Sequence, residues 1–329
     1  MSQPPLTLTR AARIDSADDI VLPFGTVKSR VSGRVVRLGA AVDKVLAAHD
    51  YPESVSEVLG EALALTALLG HPIKQGGRLI LQTKTDGPLG FLVIHYDAPG
   101  GLRGYASFDR GKVDELAGKG RVKAGDLLGV GRMAMTIDPG GSGASHQGIV
   151  ALDGGSLTDA AHTYFRQSEQ LPTFIRLAVA KLRIAGAARG SDAWLWRAGG
   201  LILQHVPRLG GDPRPDETPE ERDLRLHGED DDDWTRVSTL AATVEAHELI
   251  DPTLSPERLL MRLFHEEGVR VSDETPVAAR CRCSRNRIEG FLKGFSAKDL
   301  EEMREADGAV TVTCEFCSTK YRFEVGELA

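Results

Sequence analysis

The sequence predicts an α+β fold: a large N-terminal domain of mixed β-sheets covered by helices, a helical linker, and a small C-terminal module built on four cysteines. Three observations carry this. Strand-like and helix-like runs mix without regular β-α-β alternation, which argues against a doubly wound sheet. After Gly200 a strongly acidic stretch gives way to helical patterns. All four cysteines lie in the last 49 of 329 residues, and the first 280 hold none. The expected divisions are a flexible N-terminus (1–19), an α+β core domain (20–200), a linker region (201–275) and a cysteine domain (276–329).

From about Ile20 the runs GRVVRL (33–38), GRLILQTKT (77–85), GFLVIHY (90–96) and LRGYASF (102–108) are rich in β-branched and aromatic residues with Gly punctuation between them, and they read as strands. Asp86-Gly87-Pro88 reads as a hairpin turn, because no helix start follows to make it a phosphate loop. A helix is expected over 54–69, with Ser54 and Glu57 as a capping box and Gly70 as the stop. Its stripe of Val55, Val58, Leu59, Leu63 and Leu69 would cover one sheet face, and Ala62, Ala64 and Ala67 would allow close approach. GRMAMTID (131–138) and HQGIVALD (146–153) add strand-rich segments, and a helix over about 157–168 leads into TFIRLAVAKLRIA (173–185).

Beyond Gly200, residues 211–233 hold eleven acidic and three basic side chains. The net charge of the whole chain is −7, so the remainder is close to neutral. Such a run reads as a disordered insertion whose four-aspartate end is too self-repelling to pack. Helices are expected at about 235–249 and 256–267, the second starting at Pro256, and another near 297–306 between the cysteine pairs.

Several function classes are disfavoured. The first residues lack the apolar core of a secretory signal, and no stretch approaches eighteen apolar residues, so a cytoplasmic protein with no membrane association is expected. Residues 276–329 contain nine Lys/Arg and nine Asp/Glu, too balanced for a nucleic-acid binder. His265-Glu266-Glu267 lacks the second His of a metalloprotease motif, Gly129-x-Gly131 and the Gly140–Gly143 run lack a nucleotide-binding context, and no nucleophile elbow occurs. No catalytic residues are assigned, and a non-enzyme is expected.

Cys281-Arg-Cys283 and Cys314-Glu-Phe-Cys317 are two close pairs that can give one Zn²⁺ four thiolates. Cysteines seldom occur only as two tight pairs, which disfavours four unrelated thiols. Arg280, Arg282, Arg285 and Arg287 crowd the first pair and favour thiolate over thiol. The pattern reads as a metal site, a redox switch, or both. A Cys-x-Cys pair can form only a small, strained and easily reduced ring, which favours a reversible role over a purely structural clip.

The pattern resembles the heat-shock protein 33 family of redox-regulated chaperones. Further stretches share the resemblance in the same order: Thr85–Leu89, Tyr164-Phe165-x-x-Ser168-Glu169-Gln170-Leu171-Pro172, Ala198-Gly199-Gly200 with Leu203-Gln204, and Leu263–Glu267. The resemblance implies an ATP-independent holdase that is inactive while reduced and zinc-bound at Cys281, Cys283, Cys314 and Cys317. Oxidation would pair Cys281 with Cys283 and Cys314 with Cys317, release zinc, unfold the linker and expose apolar faces such as Leu259, Leu263 and Phe264 to unfolded or oxidatively damaged client proteins. The oxidised form would be a homodimer. The acidic insertion departs from the family pattern. A constitutive zinc-stabilised adaptor with structural cysteines is the alternative, and a thiol oxidoreductase a third, weaker one.

Overall fold

The computed structural model describes residues 18–327 apart from 30, 121, 142, 185–192, 206–217 and 219–228. Its fold is α+β, as expected. The first sheet contains β1 (Ile20–Thr26), β2 (Val31–Leu38), β8 (Thr173–Ile184) and β9 (Ala193–His205), with the short β10 (Val269–Val271) and β11 (Thr275–Pro276) along its edge; the order is β10-β1-β2-β9-β8, and β11 also pairs with β1. The second contains β3 (Arg78–Thr85), β4 (Phe91–Asp97), β5 (Gly101–Ser107), β6 (Val130–Asp138), β7 (His146–Asp153) and β12 (Ala278–Ala279), ordered β12-β5-β4-β3-β6-β7.

Between the sheets lies α2 (Glu53–Gly70), with α1 (Ala40–Leu46) and α5 (Leu157–Tyr164) beside it. The expected helix 54–69 is present, but two details differ. Pro52 occupies the N-cap with no side-chain cap bond, so Ser54 and Glu57 form no capping box. The helix also does more than cover one sheet face. Val55, Leu59, Ala62, Leu63, Ala64, Leu65, Ala67 and Leu68 are all fully buried, because α2 packs on β2, β8 and β9 from one side and on β3, β4 and β5 from the other. A helix that is apolar nearly all round belongs inside. The surface-facing α3 (Arg110–Gly118) and the short α4 (Ala124–Leu128), with α1, were not read from the sequence.

The predicted turn at Asp86-Gly87-Pro88 forms between β3 and β4. A Cβ on Gly87 would lie 2.3 Å from the Leu127 carbonyl oxygen, so only glycine lets the turn pack on α4. The expected helix at 157–168 is α5 followed by one π-helical turn (Phe165–Glu169).

The linker helices are α6 (Glu229–Ala242), α7 (Ala246–Ile250) and α8 (Pro256–Phe264). The predicted 235–249 helix is broken at 243–245. The acidic stretch 211–233 lies mostly outside the described residues, yet its end departs from the expectation: α6 begins at Glu229 and Asp233 pairs with Arg236 at 2.6 Å. Carboxylates are favoured at a helix start, where unsatisfied N–H groups make the positive end of the dipole. These helices build a second core on the far face of the first sheet: Val237, Ala241, Leu249, Leu259, Leu260, Leu263 and Phe264 pack with Leu22, Phe24, Val31, Val35, Leu201 and Leu203. Gly199 permits this, since a Cβ there would lie 2.1 Å from the Leu249 carbonyl oxygen. Arg37, 1% exposed, donates to the carbonyls of Glu248 (2.8 Å) and Asp251. Arg197 donates to Ile250 O at 2.7 Å and forms a buried two-point ion pair with Asp18. Of the expected flexible stretch 1–19, residues 1–17 lie outside the described residues, whereas Asp18 is held by Arg197 and Asp19 accepts from the N–H groups of Gly39 and Ala41.

The segment 269–280 then stitches the two sheets together. β10 and β11 run antiparallel along β1, Val277 N–H reaches Asp19 O at 2.6 Å, β12 pairs in parallel with β5, and Arg280 N–H donates to Leu102 O at 2.9 Å. Cys281 is the next residue.

Candidate metal centre

Each cysteine pair is placed by a different local device. Cys281 and Cys283 leave the end of β12 and run into α9 (Arg285–Leu292), whose N-cap Ser284 accepts from Arg287 N–H. Cys314 and Cys317 occupy the turn of a hairpin between β13 (Ala309–Thr313) and β14 (Lys320–Glu324). That turn is closed by Cys314 N–H to Thr319 O (2.9 Å) and Ser318 N–H to Cys314 O (2.8 Å), with Ser318 in the left-handed region at φ 55°. The expected helix near 297–306 is the shorter α10 (Ala297–Glu302), while α9 and the hairpin were not read from the sequence.

The four sulfurs meet. All lie within 4.8 Å of one another, with Cys281 to Cys314 at 3.6 Å and Cys283 to Cys317 at 3.4 Å. A tetrahedral site with metal–sulfur bonds of about 2.3 Å needs sulfurs roughly 3.8 Å apart, so the donor set fits one divalent ion, whose identity the geometry leaves open. No other such cluster of His, Cys, Asp and Glu occurs among the described residues. His265 and Glu266 are exposed at the end of α8, and Glu267 is buried against Arg236 at 2.6 Å, so this trio forms no second metal site.

The thiols are unequal. Burial pushes Cys283 up to about 12, although the Tyr321 hydroxyl donates to its sulfur at 3.2 Å and opposes the rise. Burial also raises Cys314. For Cys317 burial acts upward too, but hydrogen bonds to the Thr319 hydroxyl (3.2 Å) and N–H outweigh it and bring the thiol down to about 7. Four thiolates this close repel one another, and a bound cation is what allows them to ionise together.

The expected arginine cluster is only partly at the sulfurs. Arg285 pairs with Glu327 at 2.7 Å and lies over the Phe323 ring at 4.5 Å, and Arg282 faces Asp97 at 3.6 Å. Arg280 does line the cleft beside Cys281 and Cys283, a space of about 460 Å³, and so do Arg103 of β5 and Tyr321 of β14. Arg103 is remote in sequence and carried no signal. Tyr321, four residues past Cys317 on a strand, could have been found only by recognising that hairpin.

The module's own core is thin: Leu292, Leu300, Val310 and Phe323 are the buried apolar members of its cluster. The cysteine turn also rests on the core domain. His49 Nε2–H donates to Glu315 O at 2.6 Å, and the Phe316 ring lies against Arg103 (4.3 Å) and His95 (ring centroids 5.4 Å apart).

Comparison with known proteins gives a consistent picture. Residues 19–324 match the family model described as "Hsp33 protein". The chain is 46% identical over 309 residues to the 33 kDa chaperonin of Caulobacter vibrioides, covering 93% of this chain and 95% of that one. It is 36% identical over 307 residues to the 33 kDa chaperonin of Pseudomonas syringae pv. syringae, covering 92% and 89%. Its fold is similar to the crystal structure of the 33 kDa chaperonin from Thermotoga maritima, with a TM-score of 0.70 at 22% identity, covering 94% and 96% of the two chains.

Proposed function

From the chain's membership of the Hsp33 family we propose that it is a chaperone of the ATP-independent holdase type, without enzymatic turnover, whose activity is governed by the oxidation state of Cys281, Cys283, Cys314 and Cys317. The observation that carries the reading is the meeting of four sulfurs one residue beyond the strap that ties both sheets together.

In the reduced state the four thiolates would hold Zn²⁺, which supplies the cross-link that so small a module needs in order to stay folded. The module then anchors β12, β11 and β10, and with them the closure of α6–α8 over the first sheet. Peroxide converts each cysteine pair, Cys281 with Cys283 and Cys314 with Cys317, into a disulfide: each pair of thiolates gives up two electrons to one peroxide, which takes two protons from solvent and leaves as two waters. Sulfurs in a disulfide are no longer thiolate ligands. The module loses its cross-link, and its small apolar cluster is too thin to hold it. The strap loses its anchor, and α6–α8 lift from the sheet, exposing Leu259, Leu263 and Phe264 together with Leu201 and Leu203 beneath them. Unfolding proteins bind the uncovered surface, and two oxidised copies associate as a homodimer.

This reading places the protein in the cytoplasm, where thiols are kept reduced until stress. Among the described residues no helix is long and apolar enough to cross a membrane. The test is aggregation of a chemically unfolded protein in the presence of the reduced and the peroxide-treated chain. Protection by the oxidised form alone supports the switch. Equal protection by both forms would favour the constitutive adaptor with structural cysteines, and turnover of a small thiol substrate an oxidoreductase.

A further inference from the structure

The face of the second sheet that points away from α2 is a strip of mixed apolar character. Tyr105, Val93, Gln82, Ala134 and Ile149 lie opposite one another across β5, β4, β3, β6 and β7. Ile149, Val130 and Phe91 on this sheet are 58%, 56% and 36% exposed. At its β5 end the cysteine turn sits on top. There the Phe316 ring lies 4.3 Å from the Arg103 guanidinium and edge-on to His95. Arg103 has no carboxylate partner among the described residues, its Nη2 approaches His95 Nδ1 at 3.0 Å, and its buried Nε has no hydrogen-bond partner. The π face of Phe316 is what this cation meets where a carboxylate would otherwise pair with it.

We propose that Arg103 and His95 form a seat for aromatic side chains of unfolding polypeptides, which Phe316 fills as an internal stand-in until the Cys314–Cys317 turn is released. The occupant is defined by the one already there: a flat apolar ring, presented by a tight turn and laid over a guanidinium. Once the turn leaves, the seat runs on along this face toward the exposed Phe91, Val130 and Ile149, where an extended chain places further apolar side chains. The release step rests on the redox reading above, whereas the seat itself does not.

The test uses the full chain and a short Gly/Ser peptide carrying one photoreactive benzoylphenylalanine, with a photoreactive leucine peptide as control and mass-spectrometric mapping of the cross-links. In the oxidised protein the aromatic peptide labels residues 91–107 at least about tenfold more than in the reduced protein, the factor expected from exchanging one desolvated cation–π contact. Phe316→Ala, kept reduced with all four thiols and bound metal verified by titration, gains the same labelling without oxidant. Arg103→Lys, which keeps the charge and loses the stacking plane, weakens labelling of the oxidised protein several-fold. The seat is overturned if reduced Phe316→Ala is labelled in 91–107 no more than reduced wild type, or if the leucine peptide labels equally well. Client protection by the oxidised protein without labelling would sink the seat and leave the redox reading standing. Labelling of reduced Phe316→Ala in a protein that oxidation fails to activate would do the reverse.

Discussion

The Tyr321 hydroxyl donates a hydrogen bond to Cys283 Sγ at 3.2 Å, tying β14 to the cysteine pair that arrives from the opposite side of the module. The bond opposes the effect of burial on Cys283, and it stabilises the ionised sulfur that a metal requires. Tyr321→Phe should lower the apparent zinc affinity of the reduced protein about tenfold or more, in the range typical of lost partners to metal ligands. The deficit should be about the same at pH 6 and pH 8, because burial holds Cys283 up at about 12 and protons already compete for it in both proteins across that range. Chelator competition at two pH values measures it, and an unchanged affinity would show that the bond is incidental.

Stripping the metal from the reduced chain tests the thinness of the module. Leu292, Leu300, Val310 and Phe323 form its small buried cluster, with Ile288, Phe295, Val312 and Tyr321 partly buried against it, while α2 sits in a large core between two sheets. Hydrogen exchange after chelation should show protection lost across 281–327 and kept in 53–70. Retained protection in the hairpin 309–324 would mean that the module folds without metal.

Arg37 holds the linker through the carbonyls of Glu248 and Asp251. Replacing it by methionine keeps the apolar stem and removes both donors, which should cost about 1–3 kcal/mol of local stability. Exchange in 246–264 should then quicken roughly tenfold or more, and the oxidant dose needed for client protection should fall. Loss of the whole fold instead would place Arg37 in the global core and not at the linker.

Glu61 on α2 carries a carboxyl that burial, helped by Glu57, pushes up to about 7; it lines a cleft with Glu57, Val122, Lys123 and Leu127. An acid raised in the folded state leaves stability untouched below the unfolded value near 4.5. It lowers stability progressively as pH rises to about 7, because the folded chain then binds the proton that the unfolded chain has lost. Glu61→Gln should therefore be more stable than the parent at pH 8, by up to about 3 kcal/mol, with the advantage vanishing near pH 4.5. Denaturant titrations at the two pH values decide it. A constant difference would mean that the carboxyl is not protonated in the fold.

Much of this was legible in the sequence because the signals were local. Runs of β-branched and aromatic residues with Gly punctuation marked the strands within 77–96, residues 131–138 and 146–153 read as strand-rich, and the pairing of Cys281-x-Cys283 with Cys314-x-x-Cys317 marked the sulfur cluster. Other features depended on distant partners. Ser54 and Glu57 match a capping pattern, but Pro52 ends up at the N-cap, and the burial of α2 on two sides follows from a second sheet that no stretch of α2 encodes. β10, β11 and β12 are two or three residues long, too short for any periodicity to show, and they exist because β1 and β5 offer open edges. Arg103 and His49 reach the cysteine turn from positions more than 200 residues away, a proximity that only the folded chain creates.

Under the proposed function the sulfur cluster controls the chaperone surface. The most direct measurement of this control follows released zinc, lost thiols and suppression of client aggregation in one titration of the reduced, metal-loaded protein with oxidant. Protection should rise in step with release of one zinc per chain and loss of four thiols, and should fall back when reductant and zinc are restored. Full protection before any zinc leaves, or complete zinc release with no gain in protection, would contradict it.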